Sequence, residues 1–227
     1  MSWKICVSIL GKDTEEVISK MDKAKEVADI VEIRIDSMEE FDLRRIFEEK
    51  RMPILITYRS PEEGGFKKGV RDQERAEVLK EAIYLGADYV DIEYEMDRGL
   101  RDEIIKSKNK TKIIVSKHFF RPEREEILSE YAKKLFDTGA DIGKLIGYAK
   151  SWDKNLIYLN LVEKYEKMGY KLISFAMGEF GKPSRIMCPI FGSPWTYAAL
   201  TEKEKAAPGQ ISAKTLRSIW KEIRGED

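Results

Sequence analysis

Short apolar runs alternate with longer, charged amphipathic stretches along this chain, and that alternation narrows the possible folds more than any single motif. Candidate strands lie at 5–9, 30–35, 54–58, 89–94, 112–116, 142–145, 171–175 and 195–200. They are short and rich in β-branched residues, as expected for strands buried on both faces. Helical periodicity fills the gaps, near 14–28, 38–49, 72–85, 97–107, 122–137, 152–168, 183–190 and 212–224. Cap signals mark several helix starts, including Asp13-Thr14-Glu15-Glu16 and Ser212 ahead of the Leu216/Ile219/Trp220 stripe. Eight strands and eight helices in strict alternation predict one domain over 1–227, a parallel α/β fold of the (β/α)8 TIM-barrel type. A doubly wound open sheet would alternate too, but no Gly-x-Gly-x-x-Gly turn follows the first strand.

Composition trims the function classes. There are 41 basic and 41 acidic residues, so the chain lacks the basic surplus of a nucleic-acid binder. Charged residues make up 36% of the chain while Asn and Gln are scarce, a pattern that resembles thermophile proteins. Cys6 and Cys188 are far apart, without metal-ligand or redox spacing, and read as buried free thiols. The N-terminus runs straight into the first strand, with no hairpin before it, no signal h-region and no membrane-length apolar stretch. The expectation is a soluble cytoplasmic protein with no membrane or nucleic-acid partner.

Side chains on a strand alternate faces. In Val31-Glu32-Ile33-Arg34-Ile35-Asp36 the aliphatic face should pack on helices, which turns Glu32, Arg34 and Asp36 into the barrel. The same parity sends Thr57 and Arg59, Asp91 and Glu93, and Ser116 and His118 inward, and places Lys144 on the face of Ile142. A lone histidine is usually structural, and His118 is the only one. Here, however, polar residues gather at the carboxyl ends of several strands, where barrel enzymes build their active sites. A packed core does not need them, because unpaired buried charge is costly.

A buried lysine beside a histidine and two arginines suggests imine chemistry. Neighbouring cations and desolvation would favour the free amine, which attacks a ketone, and the iminium then acidifies the adjacent C–H bonds. Histidine would move the proton and arginines would hold an anionic or hydroxylated substrate. From the residues alone, this is a Schiff-base lyase acting on a carbonyl acid.

These residues lie within segments that resemble the type I 3-dehydroquinate dehydratases of the shikimate pathway. The segments are Glu32-Ile33-Arg34-Ile35-Asp36, Thr57-Tyr58-Arg59-Ser60 with Glu63-Gly64-Gly65, Ser116-Lys117-His118-Phe119-Phe120, and Ala140-Asp141-Ile142-Gly143-Lys144. Met177-Gly178, Gly181-Lys182-Pro183-Ser184-Arg185, Gly192-Ser193 and Ala207-Pro208-Gly209-Gln210-Ile211-Ser212 complete the series. The resemblance implies that Lys144 forms the imine with the ketone of 3-dehydroquinate, that His118 is the general acid/base, and that Glu63 orients His118. It implies Arg185 as the carboxylate anchor, read as the start of a helix after Pro183-Ser184. Glu32, Arg34, Arg59 and Gln210 would hold the ring hydroxyls, with Met177 and Tyr197 as pocket walls. Residues 201–210 would form a lid carrying Gln210.

The implied activity is that of a hydro-lyase of aromatic amino acid biosynthesis, without metal or dissociable cofactor, in a family whose members are often homodimers. Phe119 stands in place of a common acidic residue, Phe175 of a frequent methionine and Ala206 of a frequent serine. Two rivals share the pocket chemistry: another Schiff-base barrel lyase such as a class I aldolase, and a non-catalytic barrel that binds a sugar acid or anion.

Overall fold

Each apolar run forms a strand because β-branched side chains on both of its faces find cover, from helices outside and from packed side chains within. The computed structural model describes residues 3–225. Its strands are β1 (Ile5–Ile9), β2 (Ile30–Arg34), β3 (Ile54–Thr57), β4 (Tyr89–Glu93), β5 (Lys112–His118), β6 (Ile142–Tyr148), β7 (Leu172–Met177) and β8 (Thr196–Ala199). The helices are α1 (Thr14–Ala24), α2 (Leu43–Glu48), α3 (Asp72–Tyr84), α4 (Arg98–Ser107), α5 (Glu125–Asp137), α6 (Asn155–Lys167), α7 (Lys182–Met187) and α8 (Ala213–Arg224). All the strands are parallel and run in the order β7-β6-β5-β4-β3-β2-β1-β8. This is a (β/α)8 barrel in a single domain, with one join left unsewn: among the described residues β7 and β8 share no ladder. Across that join the Phe175 and Tyr197 rings lie 6.3 Å apart, and Arg185 donates from a terminal guanidinium nitrogen to the Tyr197 carbonyl at 3.4 Å.

Several elements are shorter than the periodicity suggests. α1 stops at Ala24 rather than near 28, and in the connection that follows it the Asp29 carboxylate accepts from the Ile5 amide at 2.7 Å. α2 begins only at Leu43, because Ile35–Ser37 form a 3-10 turn and Asp42 caps the helix on the Arg45 amide at 3.1 Å. The expected caps Asp13 and Ser212 accept from Glu16 and Thr215 at 2.9 and 3.3 Å. Residues 152–154 form a 3-10 turn ahead of α6.

The core has two parts. Val7, Val31, Ile33, Ile56, Val90, Ile92, Val115 and Leu145 face the helices. Cys6, Leu55, Ile114, Ile142, Ile173 and Trp195 fill the lower lumen. The charges expected to point inward sit above this apolar plug, toward the strand carboxyl ends. No helix among the described residues is long and apolar enough to cross a membrane.

Candidate active site

Parallel register stacks the polar side chains of neighbouring strands around one opening. Ser8 pairs with Glu32, Thr57 with Asp91, Glu93 with Ser116, and Ser116 with Lys144. The result is a cavity of about 150 Å³ at the carboxyl end of the barrel. Glu32, Arg34, Arg59, Glu63, His118, Lys144, Met177, Arg185, Tyr197 and Gln210 all line it. The ten residues to which the resemblance assigns a site role are therefore brought to one place, while Asp36, Thr57, Asp91, Glu93 and Ser116, also expected to point inward, stand behind the cavity wall. Ser8, Ile146, Phe120 and Phe175 line it as well and were not among the ten.

Lys144 is almost wholly buried. Its Nζ donates to Asp91 Oδ2 at 2.8 Å, stands 3.5 Å from Glu32 Oε1 and lies 4.2 Å from the centre of the Tyr197 ring. The expectation that cations crowd this amine is corrected here: the groups in contact with it are two carboxylates and an aromatic face. Asp91 is in turn held by Arg59 at 2.9 Å and by the Ser116 hydroxyl at 2.6 Å. Burial alone would raise the Asp91 pKa, but Arg59 and Lys144 outweigh it and hold the carboxyl well below its usual range. Glu32 is also buried yet shifted down, through Lys144 and Arg34, and accepts from Ser8 at 2.6 Å and Thr57 at 2.9 Å. Removing one partner from such a set leaves a buried charge exposed to low dielectric, at a cost of about 3–5 kcal/mol.

His118 closes one wall. Its Nδ1 lies 2.9 Å from Glu63 Oε2, which also accepts from the His118 amide at 3.2 Å. Burial, with Arg59 and Lys144 nearby, pushes the imidazole pKa well below the ordinary value. Burial pushes Glu63 upward, against the pull of Arg59 and Lys117. Glu63 is placed by a 3-10 turn, Pro61–Glu63, that folds tightly enough for the Gly65 amide to reach the Ser60 carbonyl at 2.7 Å. A Cβ at Gly65 would sit 2.1 Å from the Arg59 carbonyl oxygen, so the second glycine of the loop is a steric requirement.

Arg34 is clamped by Asp36 through two hydrogen bonds, at 2.9 and 2.7 Å. Asp36 therefore serves as a brace rather than reaching the cavity. Arg59 is spread over Asp91, Ser116 and Glu93, and Glu93 is braced by Arg75 at 2.6 Å. Arg185 differs from both. It is 2% exposed, its guanidinium lies 4.3 Å from the Phe175 ring centre, and its Nε and one terminal nitrogen have no hydrogen-bond partner. Burial lowers its pKa to about 10. It occupies the last turn of α7, which begins at Lys182, so the reading of Arg185 as the helix start is also corrected. A buried guanidinium with idle donors suits an incoming anion.

The segment 201–210 covers the opening, with Ala206, Ala207, Pro208 and Gln210 on the cavity wall. Gln210 Oε1 accepts from the Ala206 amide at 2.6 Å, so the backbone supplies the contact at the position where the resemblance leads to a serine. Gly209, at φ +77°, lies so close to Gly178 that a Cβ would fall 2.3 Å from the Gly178 carbonyl oxygen. Phe119 turns outward onto Tyr131, ring centres 5.2 Å apart. Among the described residues no cluster of three or more histidine, cysteine or carboxylate side chains is arranged to hold a metal ion.

Asp91 was legible as an inward residue but not as the partner of Lys144. The signal was its parity with Glu93 on β4, one strand from both Arg59 and Ser116.

Comparison with known proteins places the chain in a family. The family model of type I 3-dehydroquinase matches residues 5–227. A 3-dehydroquinate dehydratase from Methanococcus maripaludis is 38% identical over 226 residues, covering 96% of this chain and 99% of that protein. One from Methanocaldococcus jannaschii is 38% identical over 224 residues, covering 96% and 97%. The crystal structure of the type I 3-dehydroquinate dehydratase from Clostridium difficile with covalently modified comenic acid superposes with a TM-score of 0.87. It is 29% identical, and the match covers 98% of this chain and 92% of that one. With a family match running from the first barrel strand to the last residue, the chain belongs to the type I 3-dehydroquinase family.

Proposed function

We propose that the whole chain works as one catalytic domain that dehydrates 3-dehydroquinate to 3-dehydroshikimate through a lysine imine, in the route to aromatic amino acids. The observation that carries this reading is the convergence of Lys144 Nζ, the His118 ring and the idle Arg185 guanidinium on one enclosed cavity. The substrate carboxylate occupies the free donors of Arg185, which turns the ring ketone toward Lys144. The amine adds to the C3 carbonyl, and the carbonyl oxygen leaves as water to give the iminium. Asp91, ionised at 2.8 Å from Nζ, orients the amine and steadies the positive charge of the iminium once it forms.

His118 then removes a C2 proton, and the C–H electron pair moves into the iminium. A neutral imidazole is required, and the low pKa of His118 keeps it neutral. The same depression makes the imidazolium, once formed, a strong acid toward the departing C1 hydroxyl, so water leaves from the face on which the proton was taken. Hydrolysis of the imine returns Lys144. Glu63 fixes the tautomer, with Nδ1 protonated and Nε2 left for the substrate. Glu32, Arg34, Arg59 and Gln210 hold the hydroxyls, and Met177 and Tyr197 form the walls.

The electron sink is the imine itself, so the reading needs no dissociable cofactor. A cytoplasmic location, expected from the sequence, goes with the reading, and the family resemblance adds that relatives are often homodimers. The decisive experiment is incubation with 3-dehydroquinate and borohydride, followed by intact-mass analysis and peptide mapping. A single adduct on Lys144, with near-ultraviolet absorbance rising in untreated samples as the enone forms, supports the reading. An intact protein without added mass sinks it, and thermal stabilisation by the substrate without enone formation favours the binding-only rival.

A further inference from the structure

The pairing of His118 with Glu63 accounts for only one of the two carboxylate oxygens. Oε2 takes both the His118 ring and its amide, at 2.9 and 3.2 Å. Oε1 faces the other way, buried, and the cation nearest to it is Lys117, whose Nζ is 3.2 Å off. Lys117 follows Ser116 and precedes His118, so strand alternation turns it out of the lumen and it contributes nothing to the cavity wall. Its side chain nevertheless reaches round the end of β5 to Glu63, and it also lies 3.2 Å from Glu95 Oε1 on the solvent side. The side chains of Lys117, Glu63 and Glu95 are 15%, 3% and 50% exposed, so the ammonium joins a buried carboxylate to a surface one.

We propose that Lys117 is a positioning residue for the acid/base pair, holding Glu63 Oε1 so that Oε2 stays aligned and ionised against His118 Nδ1. The inference rests on the reading of His118 as the proton carrier. The other cation facing Glu63 cannot replace Lys117: Arg59 is 3.8 Å from Oε2 and already committed to Asp91, Ser116 and Glu93. The charges around His118 are Glu63, in contact with its ring, and Arg59, Lys144, Asp91 and Glu93. Those around Lys117 are Glu63 and Glu95, with the Phe119 and Tyr131 rings at 5.6 and 5.8 Å. Without Lys117, Glu63 loses a close counter-charge in a desolvated setting and takes up a proton at higher pH. A neutral Glu63 no longer holds the tautomer that leaves Nε2 free as a base.

The test compares kcat/KM against pH for wild type, Lys117→Met, Lys117→Arg and Glu95→Gln, with unfolding midpoints for each. Lys117→Met should move the acid limb up by about one pH unit or more, the size of effect a close opposite charge has on a carboxyl. KM at high pH should stay near wild type, because Lys117 does not line the cavity. Lys117→Arg should restore the profile, and Glu95→Gln should leave it in place, because the contact with Glu63 survives. If Lys117→Met does not fold, Lys117→Gln takes its place. An acid limb that coincides with wild type, or one that Glu95→Gln moves equally, overturns the proposal and leaves a plain surface bridge. The lone imidazole gives a second readout by NMR in the free protein, where its ring signals should report the Glu63 transition moved to higher pH. A wild type that forms no enone removes the functional reading beneath; a wild type that turns over while Lys117→Met keeps its profile removes only the positioning role.

Discussion

Arg185 is a residue that the fold buries without a counter-charge, and the proposed anion-binding role would account for it. Arg34, Arg59 and Arg75 are each matched to carboxylates, whereas Arg185 is equally buried with only a carbonyl and an aromatic face for company. Arg185→Met should therefore raise KM by about 10–100-fold, the value of charge-assisted hydrogen bonds worth about 1.5–3 kcal/mol. The same change should make the ligand-free protein more stable, by about 1–3 kcal/mol, because it replaces an unmatched buried cation with an apolar side chain. Steady-state kinetics and urea unfolding on one preparation check both; a variant that loses stability and keeps its KM would contradict the assignment. At this scale the sequence was informative wherever strand parity applied, as for Glu32, Arg34 and His118. It was silent on Lys117, because parity sends that residue outward and one lysine among many reads as a solvated one. Only the fold back of its side chain onto Glu63 distinguishes it.

Among the elements, segment 201–210 is tied at one end to a distant helix. Lys20 on α1 lies 3.0 Å from Glu204 and 2.9 Å from Glu16, and donates to the Leu10 carbonyl at 2.7 Å. The Pro208 carbonyl, at the other end of the lid, accepts from the Gly178 amide at 3.3 Å beyond β7. Lys20→Met should loosen the first attachment only, raising KM by about two- to fivefold, in line with a partly exposed pair worth up to about 1 kcal/mol, with kcat nearly unchanged. Limited proteolysis should cut within 201–206 faster than in wild type, and equal rates with equal KM would count against the latch. Composition marks 201–210 only as a charged loop after the last strand, and the lid is what the family resemblance adds. Its anchor is legible in neither, because Lys20 and Glu204 meet only through the closure of the barrel between β1 and β8. The 3-10 turns at Ile35–Ser37 and Trp152–Lys154 escaped for a similar reason: short turns lack periodicity and are set by their tertiary partners.

For the whole molecule, the buried titratable groups give stability a characteristic dependence on pH. His118 has a folded pKa well below the ordinary value of 6.5, so below about pH 6.5 the unfolded chain binds a proton that the folded one does not. Stability therefore falls as pH drops through that window, with a slope of up to about 1.4 kcal/mol per pH unit. Glu63, raised in the fold, acts with the opposite sign at lower pH, above the unfolded carboxyl value of 4.5. Asp91 and Glu32, both lowered, contribute stability that is full above their unfolded values and is lost only on further acidification. Between pH 7 and 5.5 wild type should lose more stability than His118→Asn, in which the amide can still bond to Glu63. Parallel slopes in urea titrations would show that the histidine is not the group responsible.

The unsewn join between β7 and β8 ties the cavity to the architecture. Elsewhere the circumference of the barrel is set by backbone ladders that are indifferent to side-chain identity. At this join it is set by Phe175, Tyr197 and Arg185, three residues that also line the cavity. A substitution there that adjusts closure reshapes the cavity wall, and one that adjusts the cavity changes closure. In a lineage under selection the two traits cannot drift apart at this place, so divergence in what the barrel accepts and divergence in how it closes would be inherited together.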